Sequence, residues 1–197
     1  MKFFLISFFV SCLFNHKAFS LDTIAKQAIL YDYETKTIIF EKNSEELMSP
    51  SSMSKIMTIY YVFKKIKDGD LKLTDKFKVS KKAWKKGGSK MFVNVNTMVS
   101  VEDLIRGIIV QSGNDACIAI AEGISGSESL FAEELNLLAE EIGMVDSSFT
   151  NSTGWPDPEH LTTIQDLLTL TVRTIEDFPE LYYYYAEKEF TYSGIRQ

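Results

Sequence analysis

At 197 residues the chain is long enough for one domain with a genuine hydrophobic core, and its 45% hydrophobic and 24% charged residues exclude a disordered, collagen-like or membrane-bundle class. The formal net charge of −6, with no basic cluster set on an aromatic platform, argues against a nucleic-acid partner.

Residues 1–20 stand apart. Lys2 precedes an apolar run from Phe3 to Val10 that extends through Phe14, and Ala18 and Ser20 sit as the small residues of a cleavage site. This is the layout of a secretory signal, and it is too short to span a bilayer comfortably, which takes about 20 apolar residues. The expectation is export to the periplasm, with association at the inner membrane; an uncut N-terminal anchor is the alternative. Losing Lys2 and Lys17 with the leader leaves 19 basic against 27 acidic side chains, a net charge of −8. One cysteine (Cys117) and one histidine (His160) then remain, so neither an intrachain disulfide nor a His/Cys zinc site is expected, and no cofactor. Cys117 lies in the apolar run 116–120 and reads as a small core residue.

Residues 27–32 and 37–41 are β-branched and aromatic runs joined by the polar segment 33–36, which predicts a hairpin. Ser49-Pro50 predicts an N-cap and first-turn proline. The helix that follows carries Met53, Ile56, Met57 and Tyr60 at helical spacing and is apolar on its other sides too, so it is expected to be buried. Lys64, Lys65 and Lys67 before Gly69 end it. Residues 70–100 read as short, polar and irregular, with a turn at Gly87-Gly88. Val101-Glu102-Asp103 opens a helix to about Val110, the carboxylates serving as first-turn charge. Another helix is expected from Asp115 to about Glu122, and an amphipathic one over 127–142 with Leu130, Phe131, Leu135, Leu138 and Ile142 inside. After a loop holding Asn151, Gly154, Pro156 and Pro158, Thr163 with Asp166 caps one more helix. The remainder shows no clear period. Strands early and helices afterwards point to an α+β layout in one compact unit.

Ser52-Met53-Ser54-Lys55 is a Ser-x-x-Lys tetrad. Residues three apart share a helix face, so Lys55 can reach the Ser52 hydroxyl, and a lysine held against an apolar helix loses its proton more readily than one in water. First-turn backbone N–H groups would favour developing negative charge at Ser52. Together these make an activated serine without histidine. Taken alone, the tetrad favours a bland explanation, since a chain this long holds about one by chance. Ser112-Gly113-Asn114 adds a second signal. It falls between two apolar helices, where a tight glycine turn would point a hydroxyl and an amide into a shared cavity; helix capping explains the same residues otherwise.

The two motifs with their flanks, 50–58 and 108–116, resemble the first two motifs of the low-molecular-mass penicillin-binding proteins, the serine D-alanyl-D-alanine carboxypeptidases of peptidase S11 type. Residues 88–92, 99–104, 151–154 and 156–160 resemble the same family, so the likeness runs from about Gln27 to the C-terminus. It implies a β-lactamase/transpeptidase-like fold, a helical cluster packed on an antiparallel sheet, with residues 21–197 the N-terminal portion of that domain. It implies Ser52 as acyl-ester nucleophile, Lys55 as general base, Ser112 as proton relay, and Asn114 as the group that holds the substrate peptide and orients Lys55. The Ser52 backbone N–H would supply half of the oxyanion hole. Peptidoglycan stem peptides are the implied substrates and β-lactam antibiotics the implied inhibitors.

The chain departs from the family in one respect. It has no Lys-Thr-Gly or Lys-Ser-Gly triplet to grip the substrate carboxylate, and after Asn114 its only lysine is Lys188. The expectation is a member truncated before that motif, with an incomplete sheet and without the membrane-binding C-terminal helix of many relatives. An inactive remnant that at most binds peptidoglycan peptides or penicillin is the alternative. A β-lactamase lacks support, because no separate deacylating glutamate motif is recognisable. His160 in a Ser–His–Asp triad is disfavoured by its Pro-rich loop and by Lys55 beside Ser52. The tyrosines at 182–185 read as packing on a core, and 81–86 as a solvated loop.

Overall fold

A computed structural model describes residues 21–197; the expected leader over 1–20 lies outside the described residues. The predicted hairpin is present. Strand β1 (Ala28–Asp32) pairs antiparallel with β2 (Thr37–Lys42), with a register irregularity between Leu30 and Tyr31. Asp32 closes the turn, its carboxylate accepting the N–H groups of Glu34 (2.9 Å) and Thr35 (3.1 Å), the local bond that makes aspartate a turn residue.

Helix α1 (Ser54–Lys67) is buried along nearly its whole length, from Ser54 and Lys55 through Phe63, as its all-round apolar pattern predicts. Its start differs from expectation. No side chain caps it, and a 3₁₀ turn at Ser51–Met53 leads in, with the Met53 N–H bonded to the Pro50 carbonyl at 3.1 Å. Ser51 has a left-handed backbone (φ 48°), which interrupts the chain path and moves the helix start beyond the Ser49-Pro50 signal.

The segment read as irregular holds three short elements: β3 (Lys76–Lys78), α2 (Lys81–Lys85) and β4 (Met98–Ser100), the strands paired antiparallel. The lysine-rich stretch is therefore a helix and not a loop, capped by Ser80, whose hydroxyl accepts the Ala83 N–H at 3.0 Å. Ser100 caps α3 (Val101–Ile109) in the same way. Helix α4 (Asn114–Ser125) begins one residue earlier than expected and buries Asn114 through Ala121, Cys117 among them. Burial pushes the Cys117 thiol up to about 12, so it is inert packing.

Helix α5 (Glu128–Glu141) buries Phe131, Leu135 and Leu138, and Ile142 just beyond it; Leu130, expected inside, is 50% exposed. Helix α6 (Ile164–Asp177) starts where predicted, the Thr163 hydroxyl accepting the Asp166 N–H at 3.0 Å. A 3₁₀ turn (Tyr182–Ala186) and a small hairpin, β5 (Thr191–Tyr192) with β6 (Ile195–Arg196), complete the described chain. Tyr184 is buried in the core as expected of the tyrosine run, whereas Tyr182 and Tyr183 are exposed.

Helix α1 is the centre of the layout, touching α3, α5 and α6, while α4 lies across α2, α3 and α5. The sheet component is three separate two-stranded antiparallel pairs among the described residues, which is the α+β arrangement with an incomplete sheet. No helix among the described residues is long and apolar enough to cross a membrane.

Candidate active site

The site forms where the start of α1 meets the end of α3 and the loop before α6. Lys55 Nζ lies 3.0 Å from Ser52 Oγ, so the i, i+3 spacing read from sequence is realised as a hydrogen bond even though Ser52 belongs to the 3₁₀ turn. A second bond, Lys55 Nζ to the Thr153 carbonyl at 2.8 Å, also holds the amine. Lys55 is 5% exposed, and burial pushes its ammonium below the usual lysine value; the Cys117 side chain partly offsets this. An amine so placed can accept the Ser52 proton.

Ser52, Lys55, Ser112 and Tyr185 line one cavity of about 110 Å³ with four isoleucines from α1 and α3. Ser112 thus lines the same cavity as Ser52, but not by a glycine turn. Ser112 itself takes the left-handed backbone (φ 55°), and Gly113 is extended at the N-cap of α4. A Cβ at Gly113 would lie 3.0 Å from the Gly107 carbonyl and 3.1 Å from the Met91 nitrogen, tighter than an ordinary contact, so close approach favours glycine here.

Asn114 is 7% exposed, and its amide nitrogen donates to the Gly87 carbonyl at 2.8 Å. Its described bonds do not include Lys55; the Thr153 carbonyl has that place. Gly88 (φ 78°) turns so tightly over Asn114 that a Cβ would come within 2.6 Å of the amide nitrogen. Trp155 packs against this glycine pair with Lys86 Nζ 3.9 Å from its ring centre, a cation–π contact at the exposed rim.

Several supporting residues carried no role in the sequence reading. Asp115, fully buried, accepts the N–H groups of Met91 (2.9 Å) and Val93 (3.2 Å), pinning the segment beside α4. Glu128 accepts from Ser152 Oγ (2.8 Å) and pairs with Lys82 (2.8 Å). Burial would raise the Glu128 carboxyl, but the bonds from Lys82 and Ser152 outweigh it and hold it below the usual range. Ser152 in turn gives its carbonyl to Thr58 Oγ1 at 2.7 Å. The loop that offers Thr153 to Lys55 is thus tied to α1, α2 and α5. Thr153 had been visible as part of a resembling segment, but a carbonyl acceptor leaves no side-chain signature. His160 is buried and bonds Ser54, not Ser52, at 2.8 Å, so it completes no triad with the expected nucleophile.

Known proteins resemble this chain in sequence and fold. The family model described as D-alanyl-D-alanine carboxypeptidase (peptidase S11) matches residues 15–197. D-alanyl-D-alanine carboxypeptidase DacC of Escherichia coli K12 is 40% identical over 179 residues, which cover 88% of this chain and 45% of the relative. The structure of DacD from Francisella tularensis superposes with a TM-score of 0.85 at 38% identity, covering 88% of this chain and 42% of that one. Penicillin binding protein 5 from Haemophilus influenzae superposes with a TM-score of 0.84 at 38% identity, covering 88% and 51%. The chain spans about half the length of the curated relatives it matches.

Proposed function

This chain belongs to the D-alanyl-D-alanine carboxypeptidase family, peptidase S11, and from that premise we propose that it carries the acylating half of a serine carboxypeptidase that removes the terminal D-alanine from peptidoglycan pentapeptides during cell-wall biogenesis. The observation that supports this most directly is the Ser52–Lys55–Thr153 line of hydrogen bonds, with Ser112 facing the same cavity.

In this reading Ser52 Oγ attacks the carbonyl carbon of the penultimate D-alanine while Lys55 takes the hydroxyl proton. The Ser52 N–H stabilises the developing oxyanion. The C–N bond breaks, and the leaving D-alanine amine receives a proton relayed through Ser112. Asn114, held by the Gly87 carbonyl, positions the peptide beside the nucleophile. Water then hydrolyses the Ser52 acyl ester, returning the hydroxyl. No metal or cofactor enters any step. A β-lactam, as a cyclic amide presenting the same carbonyl, would acylate Ser52 and remain there. The leader over 1–20 would direct the enzyme to the periplasm, at the inner membrane.

A synthetic peptide ending in D-Ala-D-Ala, incubated with the protein, should release one D-alanine per peptide, and Ser52→Ala should release none. Equal release by the Ser52→Ala variant, or cleavage only at an internal bond, would overturn the assignment.

A further inference from the structure

Ser51, the residue before the proposed nucleophile, is held in the left-handed region, a conformation that needs support from its surroundings. Its carbonyl oxygen is held from two sides. Ser54 Oγ donates to it at 2.8 Å, and Gly154 packs against it so closely that a Cβ there would overlap it. A peptide group is planar and trans, so the Ser51 carbonyl and the Ser52 N–H are opposite ends of one rigid unit. Whatever fixes the first aims the second.

Ser54 links the Ser51 carbonyl to His160. The Thr150 N–H points at His160 Nδ1 (3.1 Å), and so does the Asn151 amide nitrogen (3.3 Å). That amide's orientation is fixed, because its oxygen accepts from the N–H groups of Thr153 (3.1 Å) and Trp155 (2.9 Å). A backbone N–H can only donate, so Nδ1 is the acceptor and the neutral ring carries its proton on Nε2. Nε2–H then donates to Ser54 Oγ at 2.8 Å, and the Ser54 hydroxyl proton is left for the Ser51 carbonyl, which can only accept. Every group in the relay is defined, and both His160 and Ser54 are inside the protein. The ring stands edge-on to Phe149, centroids 5.5 Å apart. Burial pushes His160 below the ordinary imidazole value, with Asp157 pulling part of the way back, which favours the neutral ring the relay needs.

We infer that His160 is a positioning residue for the oxyanion hole: through Ser54 and the Ser51–Ser52 peptide, its Nε2–H sets the direction of the Ser52 N–H. This rests on Ser52 being the nucleophile. His160 bonds Ser54 and not Ser52, which separates it from a triad histidine.

The test is saturation kinetics of acylation by a fluorescent penicillin, comparing the protein with Ser54→Ala, His160→Phe and His160→Gln, and with Ser52→Ala as the control. Misaiming one oxyanion donor should lower the acylation rate constant about tenfold or more in Ser54→Ala and His160→Phe, given that full removal of such a donor costs about 10²–10³. The penicillin binding constant should stay within about twofold, and His160→Gln, whose side-chain N–H can still donate, should recover part of the rate. Unchanged acylation rate constants in Ser54→Ala and His160→Phe would overturn the inference and leave the carboxypeptidase reading standing. If the unaltered protein is not acylated, that reading fails, and ¹⁵N NMR decides the relay by itself. The relay requires His160 with its proton on Nε2 at neutral pH and a displaced Ser52 amide resonance in Ser54→Ala. A proton on Nδ1, or an unmoved Ser52 resonance, would overturn it.

Discussion

Lys55 sits between a hydroxyl that needs a base and a carbonyl that holds the amine in place. Burial makes its neutral form available at lower pH than for a lysine in water. Only the neutral amine can take the Ser52 proton, so the acylation rate should rise with pH through that depressed value and level off above it. Lys55→Arg stays charged throughout and should slow acylation by about 10²–10⁴. Labelling rates across a pH series check both, and a profile flat in pH would contradict the role of Lys55 as base. Ser52 and Lys55 were legible from sequence because a three-residue spacing survives the change from α-helix to 3₁₀ turn. Thr153 and Ser54 were not. One acts through its carbonyl and the other through a bond to a histidine more than a hundred residues away.

Helix α5 holds two leucines in opposite settings. Leu135 is fully buried and Leu130 half exposed, so Leu135→Ala should cost about 2–5 kcal/mol in urea unfolding while Leu130→Ala costs about 0.5 kcal/mol or less. Leu130 and Phe131 are neighbours about 100° apart around the helix, and only one of such a pair can sit at the middle of a buried stripe. Composition could not choose between them. Helix α2 escaped the sequence reading for another reason: five residues are too few to show a period, and Ser80 as a cap was the lone signal. The loop before α6 gives a sharper prediction. Gly154 combines a left-handed backbone (φ 75°) with direct packing on the Ser51 carbonyl. The backbone strain alone of Gly154→Ala should cost about 1–3 kcal/mol, and penicillin labelling should fall with it. A variant as stable and as reactive as the original would show that the loop does not brace the nucleophile turn.

Over the whole molecule, the helical cluster is closed around α1 and α4, whereas the β1–β2 hairpin exposes Leu30, Ile38 and Ile39. Adjacent apolar side chains on a strand pair are a template for association. The 197-residue chain should therefore self-associate with rising concentration, and Ile39→Lys should reduce this in light scattering; scattering independent of concentration would contradict it. The α+β layout could be read from the order of strands and helices, because α1 and α5 carried helical periods and Thr163 with Asp166 marked the start of α6. The β1–β2 hairpin was legible, but the pairs β3–β4 and β5–β6 were not, since two- and three-residue strands hold too little periodicity. Intact-mass measurement after incubation with a penicillin shows whether Ser52, activated by Lys55, is an acylating nucleophile. A gain of one whole penicillin per chain is expected, located on the peptide containing Ser52 and absent from Ser52→Ala. A folded chain that gains no mass, or an adduct that persists in Ser52→Ala, would contradict it.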